Sequence, residues 1–281
     1  MKVVVTGASG FVGRYTVRRL LDSGYEVISI TTNKSITDDV KEFINGSDVV
    51  TVNSLEEIPE EIIGGNSIIH CAWSNVHNPV DVSHYLHASE QVKFISKIAL
   101  FNPLKVIITG TCYEFGLRTG PVSVSDKSEP NSPYAKAKDF VRYASEEILK
   151  HDAQIDFIWA RLFYVYGNGQ HEKSIYSQLM RTIKSNQEFF NMSKGGQLYD
   201  YMNIEKVAEK LASLVSIDAP PIVHICNGYP ILLRSLIEDI LLENNSSIKL
   251  NLGYYPYRIQ DSISLWGNES FDSQVHNCVT K

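Results

Sequence analysis

Residues 1–14 read MKVVVTGASGFVGR. A β-branched run at 3–6 leads into Gly7, Gly10 and Gly13, and then Phe11, Val12, Tyr15, Val17, Leu20 and Leu21 recur at helical spacing. Glycines alone would mark only a turn. Strand, glycine turn and helix in succession form the arrangement that holds a dinucleotide, its pyrophosphate resting against unpaired N–H groups at the positive end of the helix. Ser9, Phe11, Val12 and Arg14 complete the expected cradle around the three glycines.

Outward from that stretch, apolar β-rich runs recur at 27–31, 49–52, 67–72, 106–109 and 157–160. Helical periodicity fills 15–21, 85–101 and 135–149. Such alternation implies an α/β fold of Rossmann type: a doubly wound parallel sheet with helices on both faces and ligands beyond the carboxyl ends of the strands. Residues 1–166 read as the dinucleotide-binding domain. After Gly167 the pattern loosens into helices at 175–185, 204–216 and 233–242 and short apolar pieces at 189–191 and 223–226. Residues 167–281 are therefore expected to form a smaller substrate-binding cap interleaved with the sheet. The acidic cluster at 56–61 reads as a solvated helix entrance.

With 32 acidic against 26 basic side chains, the net charge of -6 gives no electrostatic basis for a nucleic-acid partner. No apolar run approaches the ~18 residues of a membrane span, and the first residues lack a signal-peptide pattern, so a cytoplasmic protein without membrane partners is expected. Cys71, Cys112, Cys226 and Cys278 are too scattered for a disulfide framework or a zinc site. No metal is expected.

The chemistry is carried by SEPNSPYAKAKDF at 128–140. Pro133 suits a first helical turn and puts Tyr134 and Lys138 one turn apart on one face. A phenol of pKa about 10 is a poor acid at neutral pH, and a nearby ammonium would lower it toward the working range. Upstream, VIITGTCYEFG at 106–116 reads as a strand ending at Thr109 and a turn bearing Thr111. In a parallel sheet this turn faces the same crevice as Gly7, where the Thr111 hydroxyl would meet a carbonyl that Tyr134 protonates.

In this order the motifs resemble those of the extended short-chain dehydrogenase/reductases, the NAD-dependent epimerase/dehydratase group acting on nucleotide sugars. TGASGFVG at 6–13 resembles the nucleotide fingerprint, IIHCAW at 68–73 the H-x-A strand end, and GTCYEFG at 110–116 the S/T-x-x-x-Y-G segment. YAKAK at 134–138 is similar to the catalytic pair, and RLFYVYGNGQ at 161–170 to the R-x-x-x-x-Y-G element. GGQLYDYMNIEKVA at 195–208 resembles G-x-Q-x-R-D-F-x-x-V-x-D-V-A, with Tyr199 where many members have arginine, and HICNGYPILL at 224–233 resembles the late N-x-G turn. The resemblance implies Thr111, Tyr134 and Lys138 as catalytic residues. It also implies Cys71, Ala72, Trp73 and Arg161 beside the cofactor, together with Tyr134 and Lys138.

At the end of the second strand, where NAD enzymes commonly carry an acid, stands Thr31, followed by Thr32, Asn33 and Lys34. Hydroxyls, an amide and two cations, Arg14 and Lys34, suit a 2′-phosphate, so NADP(H) is expected in preference to NAD. Family dehydratases carry Asp-Glu after the catalytic threonine; Cys112-Tyr113 here argues against a 4,6-dehydratase. GDP-fucose synthase has a cysteine and a histidine where Tyr113 and Ser174 stand, which argues against C3/C5 epimerisation. What remains is a nucleotide-sugar 4-ketoreductase of deoxysugar biosynthesis, acting on a 4-keto-6-deoxy sugar linked to a nucleoside diphosphate. Trp73, Thr111, Cys112, Tyr113, Tyr164, Tyr199 and Arg258 are its expected substrate contacts, with Arg258 on the diphosphate and Tyr199 stacking on a base. A 4-epimerase with tightly held NAD is the alternative, and a non-catalytic NADP(H)-binding regulator ranks third. His70 and His224 read as structural. Helices at 85–101 and 135–149 resemble the family's dimer seam, so a homodimer is expected.

Overall fold

Strands that are apolar at consecutive positions must bury both faces, and six of them, joined at one edge by a largely exposed seventh, pair side by side in one all-parallel sheet. They are β1 (Lys2–Thr6), β2 (Glu26–Thr31), β3 (Asp48–Thr51), β4 (Ser67–His70), β5 (Lys105–Thr111), β7 (Asp156–Leu162) and β12 (Ile222–Ile225). The computed structural model describes residues 2–32, 36–259 and 261–279. Asn33 and Lys34 lie outside the described residues, as does the side chain of Cys278. The sheet order is β12-β7-β5-β4-β1-β2-β3. Between β1 and β4 the winding reverses, and that is where an open α/β sheet leaves a crevice beyond its carboxyl edge.

The helices are α1 (Phe11–Asp22), α2 (Asp38–Ile44), α3 (Glu60–Ile63), α4 (Ser83–Leu100), α5 (Pro133–Ser145), α6 (Ile175–Lys184), α7 (Ile204–Ser213), α8 (Leu233–Glu243) and α9 (Phe271–Val279). Successive strand residues face opposite layers. Val3, Val5, Ile69, Ile107 and Ile158 pack with Val17 and Leu20 of α1 and Val207 and Leu211 of α7. Val4, Ile68, Val106 and Ile108 pack on the other face with Phe94, Ile95 and Ile98 of α4 and Val141 of α5. Each such side chain, fully buried, contributes about 1.5–3 kcal/mol. Among the described residues no helix is long and apolar enough to cross a membrane.

The second half crosses back and forth. The short strands β6 (Gly120–Val122), β10 (Leu198–Tyr199), β13 (Ile231–Leu232) and β15 (Ser264–Gly267) form a sheet ordered β13-β10-β15-β6, while β8 (Tyr164–Tyr166) pairs with β11 (Tyr201–Asn203) and β9 (Phe189–Met192) with β14 (Lys249–Leu252). Thus β6, early in the chain, joins the later sheet, and β12 closes the edge of the first. Two elements differ from expectation. Strand β5 runs past Thr109 because Gly110 and Thr111 continue pairing with Arg161 and Leu162 of β7. Helix α5 is α-helical to Ser145 and continues in a wider, π-type winding over Glu146–Asp152, past the expected end at 149.

Candidate active site

The glycine turn is shaped for close approach. Gly7 has φ +69°, and a Cβ added to it would stand 2.8 Å from Ala72 Cα; one added to Gly13 would overlap the Gly7 carbonyl oxygen. Only hydrogen fits at either place. Helix α1 opens on Gly10 with no side-chain cap and no acidic residue in its first turn, leaving its positive end unneutralised. Ser9 Oγ and Thr31 Oγ1 share a 2.9 Å hydrogen bond that ties this turn to the end of β2. Cys71 N donates to Thr6 O at 3.1 Å, so the 71–73 segment leaves β4 against the same turn. A cradle that side chains would fill, ending on unneutralised helical N–H groups, fits a dinucleotide pyrophosphate.

Thr111, Tyr134 and Lys138 come together beyond β5. All three are buried, and the Thr111 hydroxyl lies near enough to the Tyr134 phenol to pull its pKa downward. Ser132 caps α5 by accepting from Ala135 N at 3.2 Å, and Tyr134 N donates to Pro79 O at 3.0 Å, fixing the first turn that carries the tyrosine. Lys138 Nζ donates to Thr109 O at 2.9 Å and sits 4.1 Å from the Trp73 ring centre. Burial pushes the Lys138 ammonium down to about 8, and it pushes the Tyr134 phenol well above its ordinary range, with Thr111 pulling weakly the other way. The expected lowering of the phenol toward the working range is not seen: desolvation dominates its environment, and Tyr134 is protonated at neutral pH.

Around this centre stand aromatic rings. Trp73 meets Tyr134 edge-on at 6.0 Å, and Tyr113 meets it at 6.2 Å from another side. Tyr164 lies 6.2 Å from Tyr113 and stacks on Tyr199 at 3.8 Å and 10°. The Tyr199 hydroxyl donates to Ser262 O. Tyr199 is therefore spoken for, buried and stacked on Tyr164, which corrects its expected role as a platform for a base. Arg258 lies exposed after β14, and its charge lowers both Tyr199 and the half-buried Asp261 against the upward push of burial. Cys112 is buried directly behind Thr111.

Arg161, expected beside the cofactor, is buried and offers almost no surface. It is 1 % exposed, and its Nε donates to Glu114 Oε2 at 2.7 Å. A guanidinium locked under the sheet edge has no surface to offer a ligand. Arg14 is nearly as buried: its Nη1 meets Asp39 Oδ2 at 3.0 Å, its guanidinium lies 5.2 Å from the Phe43 ring centre, and Nε has no partner among the described residues. The cation expected for a 2′-phosphate thus already carries a carboxylate. His70 shares a 2.6 Å hydrogen bond with Thr6 Oγ1 and another with Gln91; burial lowers it to about 4, as befits a neutral core histidine. His224 is likewise buried, lowered to about 3 beside Arg161. Cys71, Cys112 and Cys226 are free thiols. The Asp200 carboxylate accepts from Asn227 N at 2.8 Å and Gly228 N at 2.9 Å, tying the late N-x-G turn to the cap sheet.

Three residues escaped the sequence reading. His84 of α4 accepts from Trp73 Nε1 at 3.1 Å, and because an indole only donates, the other His84 nitrogen carries the proton toward Asn78 O at 3.0 Å. Asp39 balances Arg14. Glu114 holds Arg161. Glu114 carries a readable signal, the T-x-x-E capping-box spacing from Thr111, whereas His84 and Asp39 are recognised only through the partners that the fold brings to them.

The family model described as NAD dependent epimerase/dehydratase family matches residues 3–225. A dTDP-6-deoxy-L-talose 4-dehydrogenase (NAD(+)) of Aggregatibacter actinomycetemcomitans is 27% identical over 271 residues, covering 95% of this chain and 99% of that protein. A CDP-abequose synthase of Salmonella muenchen is 25% identical over 96% of this chain and 90% of its own. Among solved structures, a UDP-N-acetylglucosamine 4-epimerase from Methanobrevibacter ruminantium M1, in complex with UDP-N-acetylmuramic acid, superposes with a TM-score of 0.81 at 21% identity, covering 99% of this chain and 97% of that one.

Proposed function

Because the chain belongs to the NAD dependent epimerase/dehydratase family and is a nucleotide-sugar-modifying enzyme, we propose that it reduces the C4 ketone of a 4-keto-6-deoxy nucleotide sugar to the alcohol. The observation that carries this reading is a buried, protonated Tyr134 beside the Thr111 hydroxyl, followed by Cys112-Tyr113 and not by an acid-base pair for water loss. The names of the two relatives, a 6-deoxyhexose 4-dehydrogenase and an abequose synthase, support it.

When bound, the dinucleotide supplies the hydride that becomes the C4 hydrogen. As the ketone's electron pair moves onto oxygen, Tyr134 gives that oxygen its phenolic proton. The Thr111 hydroxyl orients the same oxygen and stabilises its developing charge. Lys138, an ammonium below about pH 8, would hold the neighbouring ribose, and its charge would stabilise the tyrosinate left when Tyr134 gives up its proton. Trp73, Tyr113 and Tyr164 wall the sugar, and Arg258 takes the diphosphate. Gly7, Ser9, Gly10, Phe11, Val12 and Gly13 hold the dinucleotide, with Cys71 and Ala72 alongside.

NADPH is the cofactor we favour, because β2 ends on Thr31 with no carboxylate at its carboxyl end. The Arg14–Asp39 pair favours NAD as the second reading, since a 2′-phosphate reaching Arg14 must compete with the Asp39 carboxylate. Exposed Tyr85 and Leu86 of α4 and Phe140 and Tyr143 of α5 support a homodimer through these helices.

The experiment is NADPH absorbance loss with a panel of 4-keto-6-deoxy nucleotide sugars. Consumption by the wild type, abolished in Tyr134→Phe, is expected. No consumption, with NAD co-purifying and sugar isomers interconverting, would replace the reductase by a 4-epimerase.

A further inference from the structure

The turn that presents Thr111 is built around a completely buried carboxylate. Glu114, 0 % exposed, accepts from Thr111 N at 3.0 Å and from Trp159 Nε1 at 2.9 Å through Oε1, and from Arg161 Nε at 2.7 Å through Oε2; Arg142 Nε of α5 stands 3.6 Å from Oε2. Every neighbour is a donor, so the group is a carboxylate with its acceptor positions in use. Thr111 and Glu114 form a reciprocal cap on the turn Cys112–Phe115, the Thr111 hydroxyl accepting from Tyr113 N at 3.3 Å. Gly110 leaves the space: a Cβ there would overlap Trp159 Nε1 and stand 2.9 Å from Glu114 Oε1. A turn capped in this way needs no buried charge. A buried carboxylate ringed by two arginines is costly unless fully paired, and here each donor comes from an element that bounds the site.

We propose that Glu114 is a positioning residue, fixing the Thr111 hydroxyl against the Tyr134 phenol, and that Trp159, Arg161 and Arg142 exist to hold its carboxylate in place. This rests on the reading of Thr111 and Tyr134 as the proton-donating pair. Its second effect is electrostatic: the Glu114 charge helps to keep the proton on Tyr134 and the charge on Lys138. The titratable and charged groups facing Tyr134 or Glu114 are Cys112 and Tyr113 of the turn, Lys138 and Arg142 of α5, His84 of α4 and Arg161 of β7. Substituting Glu114 changes only its own charge among them.

The test compares wild type, Glu114→Gln and Trp159→Phe by steady-state kinetics and by tyrosinate absorbance against pH, the Tyr134 signal being isolated by subtracting the same titration with Tyr134→Phe added. Both variants should lose about 10- to 100-fold in kcat, the effect of a reacting group displaced by a fraction of an ångström, with the dinucleotide KM unchanged. In Glu114→Gln the Tyr134 titration and the alkaline limb of kcat should move to lower pH. In Trp159→Phe, which keeps the charge, both should stay. An unchanged kcat in Glu114→Gln, or an unmoved Tyr134 titration, overturns the proposal; should Glu114→Gln not fold, an unchanged kcat in Trp159→Phe does so. If the wild type reduces no 4-keto sugar, the reductase reading falls by itself, while the titration, which needs no substrate, still decides the role of Glu114.

Discussion

Gly13→Ala isolates the glycine turn from the rest of the fold. The added methyl would lie 2.8 Å from the Gly7 carbonyl carbon and 3.1 Å from Ala8 Cα, and would overlap the Gly7 oxygen. Helix and turn must separate by more than the roughly 0.6 Å that brings the first of these to ordinary contact at 3.4 Å, because the oxygen is closer still, an overpacking cost of about 1–3 kcal/mol or more. In a chain of this size that lowers Tm by about 2–4 °C per kcal/mol. The same movement pulls the N–H groups at the head of α1 away from the pyrophosphate. Losing one charge-assisted hydrogen bond, about 1.5–3 kcal/mol, weakens binding by about 10- to 150-fold. Leu20→Ala, farther along the same helix and fully buried, is the control: it should cost about 2–5 kcal/mol in stability and leave binding to the folded protein untouched. Thermal melts and calorimetric titration with NADPH and NADH separate the two effects. A Gly13→Ala protein that melts lower yet binds dinucleotide as tightly as wild type would refute the assignment and leave the turn a purely structural feature.

Tyr134→Phe should cut turnover by about 10²- to 10⁴-fold while dinucleotide affinity stays at the wild-type value, measured by direct titration. Lys138→Met should abolish activity and yet stabilise the fold at pH 7. Burial lowers Lys138 from 10.5 to about 8, so below pH 8 the native state bears the full cost of an interior ammonium, on the order of 3 kcal/mol, which is relieved as pH rises from 8 to 10.5. Denaturant melts should show the variant's advantage shrinking across that window; a constant difference would contradict the assignment. Asp39→Asn frees the Arg14 guanidinium and should raise affinity for NADPH relative to NADH severalfold, read by parallel titrations, whereas an unchanged ratio would remove Arg14 from cofactor choice.

The elements whose signals are local were readable from the chain. β1, the glycine turn and α1 declare themselves within 22 residues, and Tyr134 and Lys138 share a helix face because four residues make one turn. What escaped depends on contacts between distant residues. Arg161 looked like a ligand-facing cation because Glu114, its partner, stands 47 residues earlier in the chain. Tyr199 looked free to stack on a base because nothing local shows that Tyr164 already covers its face. Arg14 follows the glycines as a phosphate partner would, and only the packing of α2 beside α1 brings Asp39 to it. The upward shift of the phenol is hidden for the same reason: spacing shows that a lysine is near, while burial, which dominates, is a property of the whole fold.

The central claim is delivery of hydride to C4 with Tyr134 as the acid. Its most direct measurement uses NADPH deuterated at the transferable position of the nicotinamide, with the product examined by NMR and mass spectrometry. The account predicts one deuterium on C4 of the product alcohol, one oxidised dinucleotide for each sugar reduced, and neither with Tyr134→Phe. Sugar converted without deuterium at C4, or isomers exchanged with no net oxidation of the dinucleotide, would contradict it.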